Sequence, residues 1–172
     1  MAIILGIDPG SRVTGYGLIR SVGNKLEFVA CGCVRTSSAE QPPRLKQIFT
    51  ELCSVIAEFK PDEAAIEEVF MGRNAASAIK LGQARGSAMV ACLSQDLPVV
   101  EYSARKVKQA IVGAGGAEKA QVQHMVKALL SINDTLAEDA ADALAVAICH
   151  ANTNQSLIKM AGANKFARHR FR

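Results

Sequence analysis

Ile3-Ile4-Leu5-Gly6-Ile7-Asp8-Pro9-Gly10-Ser11 decides how the chain begins to fold. A continuous apolar run suits a strand buried on both faces, and this one halts at an acid followed by Pro-Gly, a strong turn signal. Asp8 therefore sits at a strand end. Downstream, a second apolar run covers Val13 to Ile19, with Gly15 and Gly17 on either side of Tyr16. A third covers Leu26 to Val34 after the turn Val22-Gly23-Asn24. Three successive strands predict an antiparallel meander.

Between Pro43 and Phe59 the apolar residues Leu45, Ile48, Phe49, Leu52, Val55 and Ile56 recur in steps of three and four, which predicts an amphipathic helix. Pro61-Asp62 ends it. Ala64 to Phe70 reads as a further strand, and the loop Met71-Gly72-Arg73-Asn74 leaves Asn74 placed to cap a helix over Ala75 to Leu93. Ala75, Ala78, Gly82, Gly86 and Ala88 keep that helix thin, so another helix or a second subunit has room to approach. Leu97 to Tyr102 is a short strand, Ser103 caps a helix carrying Arg105, Lys106 and Lys108, and Gly113 ends it. After the link Gly113-Ala114-Gly115-Gly116, a helix is marked by Val122, Met125, Val126, Leu129 and Leu130, and an alanine-rich one by Glu138 to His150. The order β-β-β-α-β-α-β-α-α-α is that of an α/β domain, a mixed five-stranded sheet flanked by helices. One domain is expected over residues 1–151, followed by a basic, loosely ordered tail over 152–172.

Composition narrows the class. With 172 residues and 49% hydrophobic content the chain can bury one sizeable core, and 21% charged residues with no long polar tract exclude general disorder. No apolar run approaches the ~20 residues of a bilayer span, and the N-terminus lacks a basic leader, so a soluble, cytoplasmic protein is expected. The five cysteines form no Cys-x-x-Cys pair and read as free buried thiols. Of the net charge of +4, Lys159, Lys165, Arg168, Arg170 and Arg172 supply five, leaving about −1 for the rest. Such a basic arm either meets phosphates or is simply solvated.

The acids carry the chemistry. Asp8 ends a buried strand, Glu67 and Glu68 interrupt an apolar one, and Asp139 and Asp142 stand three apart on one helical face. Asp8 before Pro-Gly also fits a plain turn residue, and Asp139 and Asp142 also fit acids in a helix's first turn. Burying an unpaired carboxylate is costly, however, so an acid within Ala-Ala-Ile-Glu-Glu-Val-Phe needs a cation or a hydrogen-bond network. Strand alternation sends Glu67 and Glu68 to opposite faces, and spacing alone does not choose between them. Carboxylates converging from several elements are what two-metal phosphodiester hydrolysis requires, because hard Mg²⁺ prefers oxygen ligands and the two ions lie only ~3.5–4 Å apart.

The run Gly6-Ile7-Asp8-Pro9-Gly10-Ser11-Arg12-Val13-Thr14-Gly15-Tyr16-Gly17 resembles the start of the RuvC-type Holliday junction resolvases. Further matches follow in order: Ala65-Ile66-Glu67, Val69-Phe70-Met71 with Asn74, Leu81-Gly82-Gln83-Ala84-Arg85-Gly86, Lys106-Val107-Lys108 with Gly113, and Asp139-Ala140-Ala141-Asp142-Ala143-Leu144. The resemblance implies an RNase H-like fold and a homodimeric, structure-specific endonuclease of DNA recombination and repair. That enzyme makes Mg²⁺-dependent paired nicks in two like-polarity strands of a four-way junction, with two ions per site and Mn²⁺ able to substitute. It works with the RuvA and RuvB branch-migration proteins. The resemblance assigns catalysis and metal binding to Asp8, Glu67, Asp139 and Asp142, and so selects Glu67 over Glu68. Glu68 itself departs from the glutamine of close relatives. The implied DNA-binding set is Phe70, Arg73, Asn74, Arg105, Lys108 and Lys119, with Phe70 stacking near the junction centre. Read without the resemblance, Lys108 and Lys119 flank the glycine-rich link, where they either meet phosphates or are solvated, and Phe70 either stacks on a base or packs on the following helix. His124 and His150 read as structural or surface residues.

Two other classes compete. Asp8-Pro9-Gly10 followed by Thr14-Gly15 also resembles the phosphate-gripping hairpin of actin and sugar-kinase ATP-binding folds, but those close two related halves around nucleotide and this chain has the length of one. A non-catalytic DNA-junction-binding module has no use for four acids beside a polyanion, which they repel.

Overall fold

The computed structural model describes residues 1–69 and 74–169. Strands β1 (Ala2–Asp8), β2 (Val13–Val22) and β3 (Lys25–Arg35) form the antiparallel meander. Strand β4 (Glu63–Glu67) lies parallel to β1, and β5 (Val99–Tyr102) lies parallel to β4. The sheet is mixed and five-stranded in the order β3-β2-β1-β4-β5. Helices α1 (Gln41–Phe59) and α2 (Ala75–Leu93) cover one face, and α3 (Ala104–Val112), α4 (Lys119–Leu129) and α5 (Glu138–His169) the other. This is the expected α/β arrangement, with the strand order and helix placement of the RNase H-like fold. Among the described residues no helix is long and apolar enough to cross a membrane.

Burial on both faces explains the unbroken apolar run of β1. Leu5 and Ile7 join Leu18, Ile48, Leu52 and Ile66 under α1 and α2, while Ile4 joins Ile19, Val107, Val126, Leu144 and Ile148 under the other helices. The predicted caps are used: Asn74 accepts the Ser77 N–H, Ser103 accepts the Lys106 N–H, and Gly113 takes the left-handed conformation (φ 79°) that closes α3.

Two boundaries differ from expectation. The strand β4 stops at Glu67 rather than Phe70, because its parallel partner β5 ends at Tyr102, opposite Glu67. Glu67 thus stands at a strand end and not inside one. The last helix continues to His169 instead of giving way near Ala151 to a loose tail. Its apolar burial does fade after Ala151, with Leu157 and Ile158 exposed, but polar side chains take over. Asn152 donates to the Ala110 carbonyl, Asn154 to Glu63, and Gln155 to the Gly23 carbonyl at 2.7 Å. The small residues of α2 also divide between two faces. Ala84, Ala88 and Ala91 are buried toward the core, whereas Gly82 and Gly86 face open space.

What brings α5 close is glycine. A Cβ on Gly6 would lie 2.0 Å from the Ala143 carbonyl oxygen, one on Gly15 2.0 Å from that of Asp139, and one on Gly17 2.6 Å from Leu144 Cγ. Gly6 and Gly17 are cross-strand partners, so β1 and β2 offer α5 a floor without side chains. Gly6→Ala is expected to destabilise the protein by about 3 kcal/mol or more in urea unfolding, since backbone and not a flexible side chain must yield. Gly116→Ala, with nothing within 4 Å of the added carbon, should cost less than ~1 kcal/mol.

Candidate active site

Asp8 is the last residue of β1, and the turn after it is held from within. The fully buried Thr14 hydroxyl donates to the Gly10 carbonyl at 2.8 Å and accepts the Gly10 N–H at 3.3 Å. Asp8 pairs across the sheet with Gly15, over which the Asp139 carbonyl rests. The first turn of α5 is therefore set beside Asp8, and Asp142 follows one helical turn later on the same face. On the other side of β1, Ile7 pairs with Ile66, so Glu67 ends β4 next to where Asp8 ends β1. Glu67, not Glu68, lines the cleft that opens here.

That cleft has a volume of about 280 Å³ and is lined by Glu67, Ala104, Val107, Lys108, Lys119, Val122, Asp142 and Ala145. Its electrostatics are those of crowded acids. The Asp8 carboxyl is pushed up to about 7, first by burial and then by Glu67, Asp142 and Asp139, with Lys119 opposing. Burial also raises Glu67, reinforced by Asp142 and opposed by Lys108 and Lys119. Asp142 is raised by burial against the pull of Lys119, whose Nζ lies 2.8 Å from Asp142 Oδ2 and also bonds Glu138. Burial works against the Lys119 charge, yet Asp142 and Glu138 outweigh it and hold its pKa above the ordinary lysine range.

Among the described residues, no three acid, histidine or cysteine side chains stand in ligating geometry. Glu67 and Asp142 line the cleft, Asp8 and Asp139 do not, and Asp8 feels the charge of the other three acids while Asp142 turns to Lys119. Their chemistry still fits a divalent cation. All four donors are carboxylate oxygens, the set a hard cation prefers, and a raised Asp8 marks a place where added positive charge is stabilising.

The remaining sequence-predicted residues are less concentrated. Lys108 and Lys119 line the cleft. Arg105 is exposed on α3 with its side chain against Gly115, and Asn74 is exposed and engaged in capping α2. Phe70 and Arg73 lie outside the described residues. Sequence reasoning gave no role to Glu138 or to the glycine floor, and used Thr14 only in the likeness to a phosphate-gripping hairpin. A Thr four residues after Gly10 and glycines alternating with Tyr16 were visible, but their meaning depends on the turn and on α5. The direct Lys119–Asp142 pair was missed because it depends on α4 and α5 meeting.

The family model described as crossover junction endodeoxyribonuclease RuvC matches residues 4–150. A crossover junction endodeoxyribonuclease RuvC of Photobacterium profundum is 62% identical over 98% of this chain and 97% of its own length. That of Aeromonas salmonicida is 62% identical over the whole of both chains. Among solved structures, Thermus thermophilus RuvC in complex with a Holliday junction substrate superposes with a TM-score of 0.85 at 33% identity, covering 91% of this chain and 96% of that one.

The raised Asp8 makes a stability prediction. Between its ordinary value of 3.8 and about 7 the unfolded chain has lost this proton and the folded chain keeps it, so metal-free stability falls as pH rises across that window. Asp8→Asn should remove up to roughly 4 kcal/mol of that fall. Urea unfolding in EDTA at pH 4.5 and pH 8 measures it. Equal pH dependence in both proteins would contradict the charge crowding.

Proposed function

The chain belongs to the crossover junction endodeoxyribonuclease RuvC family, and we propose that Asp8, Glu67, Asp139 and Asp142 hold the divalent cations with which it cuts Holliday junction DNA. It is an endonuclease, and its family implies dependence on a divalent metal. The observation that carries the site assignment is the seating of α5 on Gly15, which sets Asp139 beside Asp8 at the ends of β1 and β4. Mg²⁺, two ions to a site, suits a set of four carboxylates, with Mn²⁺ able to replace it. Held by these four carboxylates, such cations would supply the Lewis acidity that eases ionisation of an attacking water and departure of the 3′ oxygen.

The chain's own groups do the rest. Asp8 must give up its proton near pH 7 to become a ligand, so cation binding releases a proton and strengthens as pH rises through that value. Lys119 pairs with Asp142 and Glu138 where a cation would otherwise be held, and beside Lys108 it lines the cleft where a phosphate would lie. Val107, Val122 and Ala145 form an apolar wall that limits water on that side of the cleft. Arg105 and Asn74, with Phe70 and Arg73, extend the DNA-binding surface by the family resemblance.

Paired, symmetric nicking of two like-polarity strands calls for two sites about a dyad, and a homodimer supplies them. The face supporting this is α2, where Ile79 (63% exposed), Val90 and Leu93 form an apolar stripe with Gly82 and Gly86 between them. Partnership with the RuvA and RuvB branch-migration proteins is part of the same proposal and rests on the family resemblance alone.

Two outcomes test this reading. Asp142→Asn should cut a synthetic four-way junction at least a hundredfold more slowly in Mg²⁺ while binding it in EDTA as tightly as the wild type. Cleavage at the wild-type rate would remove Asp142 from the site. Gly82→Glu should leave the subunit folded and convert dimers to monomers in sedimentation, because the added side chain meets nothing within its own subunit. Retained dimers would exclude this face.

A further inference from the structure

Polar burial along α5 does not end with the acids. His150, eight residues beyond Asp142, is 3% exposed. Its Nε2 lies 2.6 Å from Glu63 Oε2 and its Nδ1 2.9 Å from Tyr102 Oη. Asn154, one turn further on, donates to the same Glu63 oxygen at 2.7 Å. The carboxylate accepts, so the ring donates from Nε2–H and leaves Nδ1 to accept the Tyr102 hydroxyl, which satisfies all three groups. Lys106 stands 4.7 Å over the Tyr102 ring. The network thus ties α5 to the first residue of β4, the last of β5 and the first turn of α3.

Two of these elements, β4 and α5, carry acids of the site. Glu63 and Glu67 are four apart on β4 and share a face, while Asp142 and His150 are carried by the one rod of α5. Where Ala140, Ala143 and Ala147 lie over the glycine floor, the contact between α5 and the sheet is close and has no interlocking side chains. Leu144, seated above Gly17, and Ile148, clustered with Ile4 and Ile19, resist sliding by apolar contact. Hydrogen bonds are directional where alanine on glycine is not, and this network adds a directional hold to those apolar contacts.

We propose that His150 is a positioning residue of the nuclease: held by Glu63 and Tyr102, it sets where α5 sits along β4, and so how Asp139 and Asp142 stand relative to Asp8 and Glu67. This rests on those four acids being the metal-holding site. His150 itself does not line the cleft.

The test compares wild type, His150→Phe, which keeps a ring and loses both bonds, and Tyr102→Phe, which loses one hydroxyl. Mn²⁺ binding is followed by electron paramagnetic resonance without DNA, thermal unfolding in EDTA, and junction cleavage at saturating Mn²⁺. His150→Phe should weaken Mn²⁺ binding at least fivefold and slow cleavage at least tenfold, at a temperature where circular dichroism shows it folded. Tyr102→Phe should weaken Mn²⁺ binding about twofold. A folded His150→Phe with lowered melting temperature but wild-type Mn²⁺ affinity and cleavage would make the network merely structural and overturn the proposal. Should His150→Phe not fold, Tyr102→Phe decides by the same Mn²⁺ measurement, and unchanged affinity overturns it. Wild-type protein that binds Mn²⁺ without cutting a junction overturns the nuclease reading alone, and the variants' Mn²⁺ affinities still decide the role of His150.

Discussion

The fold depends on one close approach, that of helix α5 to a sheet stripped of side chains beneath it. Gly6, Gly15 and Gly17 admit helix backbone where any other residue would hold it off, and the acids of α5 arrive beside those of β1 and β4 only because of that distance. Strand interiors normally lose stability with glycine. Here the loss is offset by buried contact, with Ala140, Ala143, Leu144, Ala147 and Ile148 all at 1% exposure or less. The packing term and the placement of chemistry are one interaction.

The same approach creates an electrostatic conflict. Burying several acids together raises Asp8, Glu67 and Asp142, and the protein's own relief is a lysine from the neighbouring helix. A pocket made only to be stable would not be built so, since crowded carboxylates far from their ordinary ionisation mark sites arranged for ligand or reaction. Membership of the chain in a nuclease family and this local frustration both fit the site proposed for these acids.

Much of this was legible in the sequence because it is local. The apolar run stopping at Asp8-Pro9-Gly10, the helical periodicity of Leu45 to Ile56, and the caps at Asn74, Ser103 and Gly113 each depend on a few neighbouring residues. The resemblance pointed to Glu67 over Glu68, which alternation alone could not do, and Glu67 is the one that lines the cleft. What escaped was tertiary. The end of β4 is fixed by where β5 stops, the ion pair of Lys119 by the meeting of α4 and α5, and the extension of α5 beyond Ala151 by polar bonds to Ala110, Glu63 and Gly23, which leave no apolar period to read. The function of Gly15 was likewise invisible until Asp139 was seen above it.

That extension of α5 has a mechanical meaning. Taking the contact of Ala143 on Gly6 as a fulcrum, Asp139 lies about 6 Å to one side along the helix and Gln155 about 18 Å to the other, at ~1.5 Å per residue. Play of 1 Å where Gln155 grips the hairpin between β2 and β3 is demagnified to about a third of an ångström at the acid. The long arm of the lever carries an anchor of its own, so a surface hydrogen bond, individually weak, adds to the seating of Asp139 on Gly15 in steadying the short arm.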